Sequence, residues 1–373
     1  MPVLRSIRAR FASERPLAGV RVGACLHVTA ETANLVLALR EGGAEVELCA
    51  ANPFATQHEV AEALGAGVHL GDYRAGLDAV AATGPDLVLD DGAELIAALH
   101  ERLRGATEET RSGLVHVRSL ELGCPVLAVN EAAAERALND RFGTGQSALD
   151  GILRATHLLL AGQTVVVLGY GWTGRGIALR ARGAGASVIV CEIDALRALE
   201  ARMEGFEILP ALAAAERGDV FITVTGSRDV LRREHFERMK DGAVLANAGH
   251  FDVEVSLPDL RALAGDRVRQ ALPLVEQYEV ADGRRLNLLA RGQVVNLAAA
   301  QGHPAAVMDV SFALQALGAE LLARGGLPPG VHQVPAEIDA EVARLKLDSL
   351  GVEIDAETRE QVAYRERWRP GEG

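Results

Sequence analysis

The pattern Gly169-x-Gly171-x-x-Gly174 stands between an apolar run, QTVVVL, and a helical pattern, and an acid, Glu192, follows 23 residues after its first glycine. A GxGxxG alone is weak evidence. Between a strand and a helix, with an acid at this distance, it reads as a dinucleotide-binding loop. Gly169 permits the tight turn, Gly171 lets backbone approach a diphosphate at a helix N-terminus, and Gly174 lets helix and strand pack closely. Glu192 would hydrogen-bond the adenosine-ribose hydroxyls and repel a 2′-phosphate, so NAD is favoured over NADP. Arg197, five residues on, works weakly against that preference.

Upstream, polar residues recur where apolar runs end: His27, Asn52, Asp90, Asp91 and Asn130. One such residue is an ordinary loop residue. Five at corresponding places in successive units point to a cleft, because ligands of open α/β sheets bind beyond the carboxyl ends of the strands. A lone histidine is more often structural than catalytic, and Asp91 alone would serve as a helix cap.

The elements that must carry these residues alternate strand and helix. Strand-like VRVGACL (20–26), AEVELCA (44–50), VHL (68–70), DLVLDDG (86–92) and CPVLAVN (124–130) are separated by helical patterns. A helical stretch over 147–162 leads into the glycine loop, and further strands are expected at 219–226, 243–249 and 293–299. A long helix, HPAAVMDVSFALQALGAELLARG, follows, and the charged tail from Pro335 also reads as helix. The fold class is therefore α/β, with two doubly wound, Rossmann-type domains around a cleft. The 373 residues suffice for two cores.

The net charge of −13 argues against nucleic acid or an anionic membrane as the main partner. Cys25, Cys49, Cys124 and Cys191 show no paired spacing and read as reduced core thiols of a cytoplasmic protein, with no metal framework. The basic N-terminus lacks a continuous apolar segment, so no signal peptide is indicated, and no run reaches the ~18 apolar residues of a membrane span.

Taken in order, ACLHVTAETANL (24–35), NPFATQ (52–57), LDDGAEL (89–95), EETRSG (108–113), GYGWTGRG (169–176), KDGAVLANAGHFDVE (240–254), VNLAAAQGHP (295–304) and EIDAEVARLKLDSLGVEID (337–355) resemble the S-adenosylhomocysteine hydrolase family nearly end to end. The GTGQS segment and short C-terminus look most like its archaeal and thermophile-type branch. The resemblance implies a substrate domain (1–146), an NAD domain (147–302), a return to the substrate domain (303–345) and a tail (346–373) contacting a neighbour in a homo-oligomer, a tetramer or dimer. It implies a small nucleoside substrate whose 3′-hydroxyl is oxidised by bound NAD, so that a group on C5′ can be eliminated and water added back. Carried over residue by residue, His27 would sit near the leaving sulfur, and Asp91 and His250 would handle protons at the sugar. Glu109 and Thr110 would bind the ribose or orient the catalytic groups. Glu31 and Thr32 would contact the adenine, with Thr29 in the same pocket and Met308 as a cap. His303 would belong to the gate. Thr225, Asn247 and Asn296 would lie at the nicotinamide side of NAD.

One segment departs from the family. NEAAAERALNDRFGTGQS (130–147) reads as a helical turn or two ending in a tight glycine turn. The family has lysine where this chain has Glu135, and Asp-Asn where it has Asn139-Asp140. In a helix, Glu131, Glu135 and Asn139 would share one face at i, i+4 spacing and could all face the cleft. Arg111 stands where the family has threonine and is a candidate cation for Glu135; both could equally be solvated surface charges. Ala55 replaces a family serine.

A 3′-keto sugar has two acidic neighbours. Losing the C4′ proton expels a C5′ group, and losing the C2′ proton expels the base from C1′. Glu135 as a relocated base, with Asn139 beside it and Asp140 near the substrate, would suit the second course. The first reading is therefore a diverged enzyme making or breaking a bond at C1′ or C5′ of an adenine nucleoside, as in nucleoside natural-product biosynthesis. The alternative is an ordinary S-adenosyl- or S-inosylhomocysteine hydrolase. A non-catalytic NAD-binding regulator fits least, because His27, Asp91, Glu109 and His250 are all retained.

Overall fold

The structure is a computed structural model and describes residues 1–52 and 56–367, so the Ala55 departure lies outside the described residues. Fifteen strands are described: β1 (Arg21–Leu26), β2 (Glu45–Ala50), β3 (Val68–His69), β4 (Leu87–Asp90), β5 (Gly105–Glu108), β6 (Pro125–Ala128), β7 (Thr164–Leu168), β8 (Ser187–Cys191), β9 (Glu207–Ile208), β10 (Val220–Thr223), β11 (Val244–Asn247), β12 (Val268–Leu272), β13 (Val275–Glu279), β14 (Arg285–Leu289) and β15 (Gly330–Gln333). They form two sheets.

The first sheet runs β3-β2-β1-β4-β5-β6-β15 and is parallel throughout. The second runs β9-β8-β7-β10-β11-β14 in parallel, then adds β13 and β12 antiparallel. Both are doubly wound, and each reverses strand order next to its first strand: between β1 and β4, and between β7 and β10. The sequence explains why these segments extend. TVVVL, SVIVC and VFIT are β-branched runs that are buried nearly throughout, as strands covered on both faces must be.

β15 pairs with β6, so the chain returns to its first sheet after completing the second. The helix Ala305–Arg324 makes that return and packs against β4 and β5. It is long and apolar enough to cross a membrane by composition, but most of it is buried in protein, including Asp309, Gln315 and Glu320. The cysteines are free and buried.

Two local expectations are overturned. Residues 293–299 are not a strand: Val295–Ala298 form a helical turn, with a single bridge from Val294 to Asn247. The place beside β11 is already taken by β14. Nor is there a glycine turn at 143–147. A π-helix, Glu135–Thr144, runs directly into the α-helix Gly145–Thr156. The glycines serve close approach instead. A Cβ on Gly145 would lie 2.6 Å from the Gly176 backbone, and one on Gly176 would lie 1.9 Å from the Arg141 carbonyl.

Candidate active site

His27 follows β1 and Asp91 follows β4, so both stand at the reversal point of the first sheet. Nε2 of His27 lies 3.2 Å from Oδ2 of Asp91. The other ring nitrogen of His27 is buried without a partner. The turn that carries His27 is fastened locally. The Thr32 hydroxyl donates to the His27 carbonyl, and the Thr29 hydroxyl accepts from the Thr32 N–H as the helix cap. Glu31 lies half-buried in the same first turn. Thr29 and Thr32 thus hold the turn.

Asp90, not Asp91, does the capping work. Its fully buried carboxylate accepts from Ile96 N–H at 2.9 Å and from Asp91 N–H at 3.1 Å. This frees Asp91 for the cleft. At the end of β5, Glu108 is buried and accepts from Gly92 N–H and from both the N–H and hydroxyl of Thr110. Thr110 in turn caps the helix Arg111–Val117. Glu109 points the other way and accepts from Gln315 Nε2 at 3.3 Å. Burial, then the charge of Asp91, pushes the Glu109 carboxyl up to about 8.

Glu135 is buried, with one carboxylate oxygen unpartnered. Burial first, then the charge of Glu109, drives its pKa well up; Ser311 hydrogen-bonds to it and works against the rise. Asn139 Nδ2 donates to Ser311 Oγ at 2.8 Å and approaches the Met308 sulfur at 3.8 Å. A π-helix closes i to i+5 and turns more slowly than an α-helix. Glu135, Asn139 and Thr144, at steps of four and five, are accordingly all buried.

Glu131 does not share this face. It ends a separate 3₁₀ turn and pairs with Arg118 at 2.8 Å and with Arg136 at 3.4 Å. Nor does Arg111 neutralise Glu135: among the described residues no ion pair joins them. The arginine charges acting on Asp140 are Arg136 and Arg111, and burial nevertheless lifts Asp140 to about 6.

The second sheet supplies the facing wall. His250 lies on a turn after β11, and its imidazole feels both Asp91 and His27. Desolvation of the ring lowers its pKa, although the residue as a whole stays exposed to solvent. His303 accepts from or donates to Thr144 Oγ1 at 2.9 Å, and burial, then the charge of His27, lowers it to about 4. Asn247, read from sequence as a cofactor contact, is saturated. Its amide donates to the carbonyls of Gly249, Phe251 and Gly292, and its oxygen accepts from Thr223 Oγ1 and Gly249 N–H. Its structural role is to brace the turn bearing His250. Thr225 is held by Glu254, which accepts from its N–H and hydroxyl and from Gly226 N–H.

Sequence reasoning overlooked Ser311, Gln315, Glu108 and Glu254. Ser311 and Gln315 are polar residues four apart within an apolar helix, and that is a readable signal; Glu108 and Glu254 carried none.

The glycine loop fits a dinucleotide. Gly169 has φ +104°, and a Cβ on Gly174 would lie 2.0 Å from the Gly169 carbonyl oxygen, so both must be glycine. Around Gly171 the space is open, as a diphosphate requires. Glu192 stands at the end of β8, its carboxylate oriented by the N–H groups of Tyr170, Ile193 and Asp194. Asn296 is buried with its side-chain oxygen unpartnered.

Two doubly wound sheets, a dinucleotide loop in the second, and histidines and carboxyls brought together from both define the class, a cofactor-dependent enzyme. The sequence model described as "S-adenosyl-L-homocysteine hydrolase, NAD binding domain" matches residues 140–302. The chain is 50% identical to the S-inosyl-L-homocysteine hydrolase of Methanopyrus kandleri, covering 100% of this chain and 93% of that protein. It is 51% identical to the adenosylhomocysteinase of Aquifex aeolicus, covering 100% and 94%, and 50% identical to that of Archaeoglobus fulgidus, covering 100% and 96%. The protein belongs to the S-adenosyl-L-homocysteine hydrolase family, and its cofactor is NAD. Among solved structures, a dipicolinate synthase chain of Bacillus halodurans shares the fold, with a TM-score of 0.51 at 15% identity over 66% of this chain and 88% of that one.

Proposed function

We propose that this protein hydrolyses the thioether of a purine nucleoside–homocysteine conjugate, S-adenosyl- or S-inosylhomocysteine, through transient oxidation of the sugar. The convergence of His27, Asp91, His250 and His303 on one cleft carries the reading, and full-length similarity to hydrolases of both conjugates supports it. Bound NAD supplies reversible oxidation of the ribose 3′-hydroxyl to a ketone, which acidifies the adjacent C4′–H. Gly169, Gly171, Gly174, Glu192, Thr225 and Asn296 would hold it.

The protein's own groups manage protons. His250, its pKa lowered, is neutral near pH 7 and can take a proton from the sugar. The Asp91–His27 pair can deliver one to the departing sulfur and withdraw one from the water that replaces it. The balance is one water consumed, one thiol and one C5′ hydroxyl formed. Glu109 and Glu135 would line the sugar's hydroxyl side, with Asn139 and Ser311 fixing Glu135. Residues 1–146 with 303–345 would form the substrate domain and 147–302 the NAD domain, within a cytoplasmic homo-oligomer.

A second reading rests on Glu135. A buried acid beside Glu109, where the family has lysine, changes the charge at the sugar and suits proton removal at C2′ with loss of the base from C1′. That course would fit nucleoside natural-product chemistry. Incubation with S-adenosyl- and S-inosylhomocysteine separates the two: free thiol supports hydrolysis, and free purine without thiol supports the C1′ course. If NAD-loaded protein yields neither product, both readings fail.

A further inference from the structure

Arg111 begins a helix of the first domain, yet its guanidinium reaches the glycine loop of the second. A Cβ placed on Gly171 would have one neighbour within 4 Å, Nη1 of Arg111, at 3.9 Å. The other two loop glycines are instead hemmed in by backbone. Arg111 is exposed, and its side chain makes no hydrogen bond and no ion pair among the described residues. Asp140, from the π-helix between the domains, feels its charge. An arginine extended over the one open glycine of a dinucleotide loop, with its five N–H donors uncommitted, is suited to a bidentate contact with phosphate oxygens.

We propose that Arg111 is a cofactor-retaining residue that engages the diphosphate of bound NAD from the substrate-domain side. Glycine loops and helix N-termini offer only backbone N–H groups and partial charge. Arg111 adds a full cation from the opposite wall, so closing the domains and holding NAD become linked. Asp140 places a carboxyl on the same side, and Arg111 stands where it can offset that charge toward the diphosphate. The inference rests on the cofactor alone and is independent of which substrate bond is broken.

The test is NAD binding to cofactor-stripped full-length protein, followed by calorimetry and by the fluorescence of Trp172, which adjoins Gly171 in sequence. Arg111→Thr should weaken NAD about tenfold or more. Wild-type affinity should fall as salt is raised, and that dependence should be shallower in the variant, because the contact is ionic. Arg111→Lys should recover part of the loss by restoring charge without the fork. Thermal unfolding of the stripped proteins should match. Wild-type affinity and salt dependence in Arg111→Thr would overturn the proposal. Equal weakening in the Thr and Lys variants, with the salt dependence unchanged, would overturn it too.

Discussion

Nε2 of His27 stands 3.2 Å from Oδ2 of Asp91 across the reversal point of the first sheet. The two residues lie 64 positions apart and meet because β1 and β4 are neighbours, with Cys25 opposite Asp90 in register. Asp90 accepts the backbone N–H groups of its own turn, which leaves the Asp91 carboxylate for the imidazole. Asp91→Asn should keep NAD bound and lower kcat by about 10² to 10⁴, the usual worth of a positioned proton carrier. Equal kcat for wild type and variant, with cofactor content measured, would remove Asp91 from the chemistry.

Glu135 carries a pH signature. Its folded pKa lies above the unfolded value, so folding takes up a proton in the interval between them. Stability from this group is complete below about pH 4 and is lost as pH rises toward the folded pKa. Glu109, pushed up to about 8, acts in the same direction. Glu135→Gln should therefore match wild type near pH 4.5 and unfold at a higher temperature than wild type near pH 8. A temperature difference that does not change with pH would show the carboxyl to be ionised throughout.

The charge at position 135 also bears on reaction course. Glu135→Lys places an ammonium beside Glu109 and Asp140, turning repulsion into attraction. Thiol release from the homocysteine conjugates should persist or rise by about tenfold, and any release of free purine should disappear. A variant that loses thiol release while remaining folded and NAD-bound would make Glu135 essential to hydrolysis in this chain.

His303 provides the opposite pH dependence. Its pKa, lowered to about 4, means that the folded protein resists protonating it. Stability from this group is present above about pH 6.5 and fades as pH falls toward 4. His303→Gln should lose less stability than wild type on acidification, measured by urea unfolding at pH 7 and pH 4.5. Identical losses would place His303 in open water.

Asn247 should matter to folding more than to cofactor affinity. Replacing it by alanine leaves Thr223 Oγ1, Gly249 N–H and three carbonyls without their partner in a buried place. A loss of about 3 kcal/mol in unfolding free energy is expected, with NAD affinity changed by less than about tenfold. The reverse pattern would return Asn247 to the cofactor.

The sequence by itself determined the local order of this protein: β-branched runs that must be covered on both faces, a glycine spacing that admits a diphosphate, and acids and histidines at strand ends. These follow from short-range rules of periodicity, turn sterics and backbone access, so the α/β class, the central strands of each sheet and the cofactor could be read without coordinates, whereas β5, β9, β12, β13, β14 and β15 could not. The tertiary structure decided what depends on neighbours distant in the chain. Ser311 and Gln315 lie on a helix far along the chain from Glu135 and Glu109, the acids they serve. Asn247 was drawn into bracing a turn because β10, the 249–251 turn and Gly292 surround it. The segment 130–147 bent by a π-helix, which set Glu131 among surface arginines and buried Glu135 with Glu109. Spacing could not reveal which acid would lose its water, because desolvation depends on everything packed around a group. Arg111 was legible as an unusual cation, but only the meeting of two domains showed that it faces Gly171 rather than Glu135.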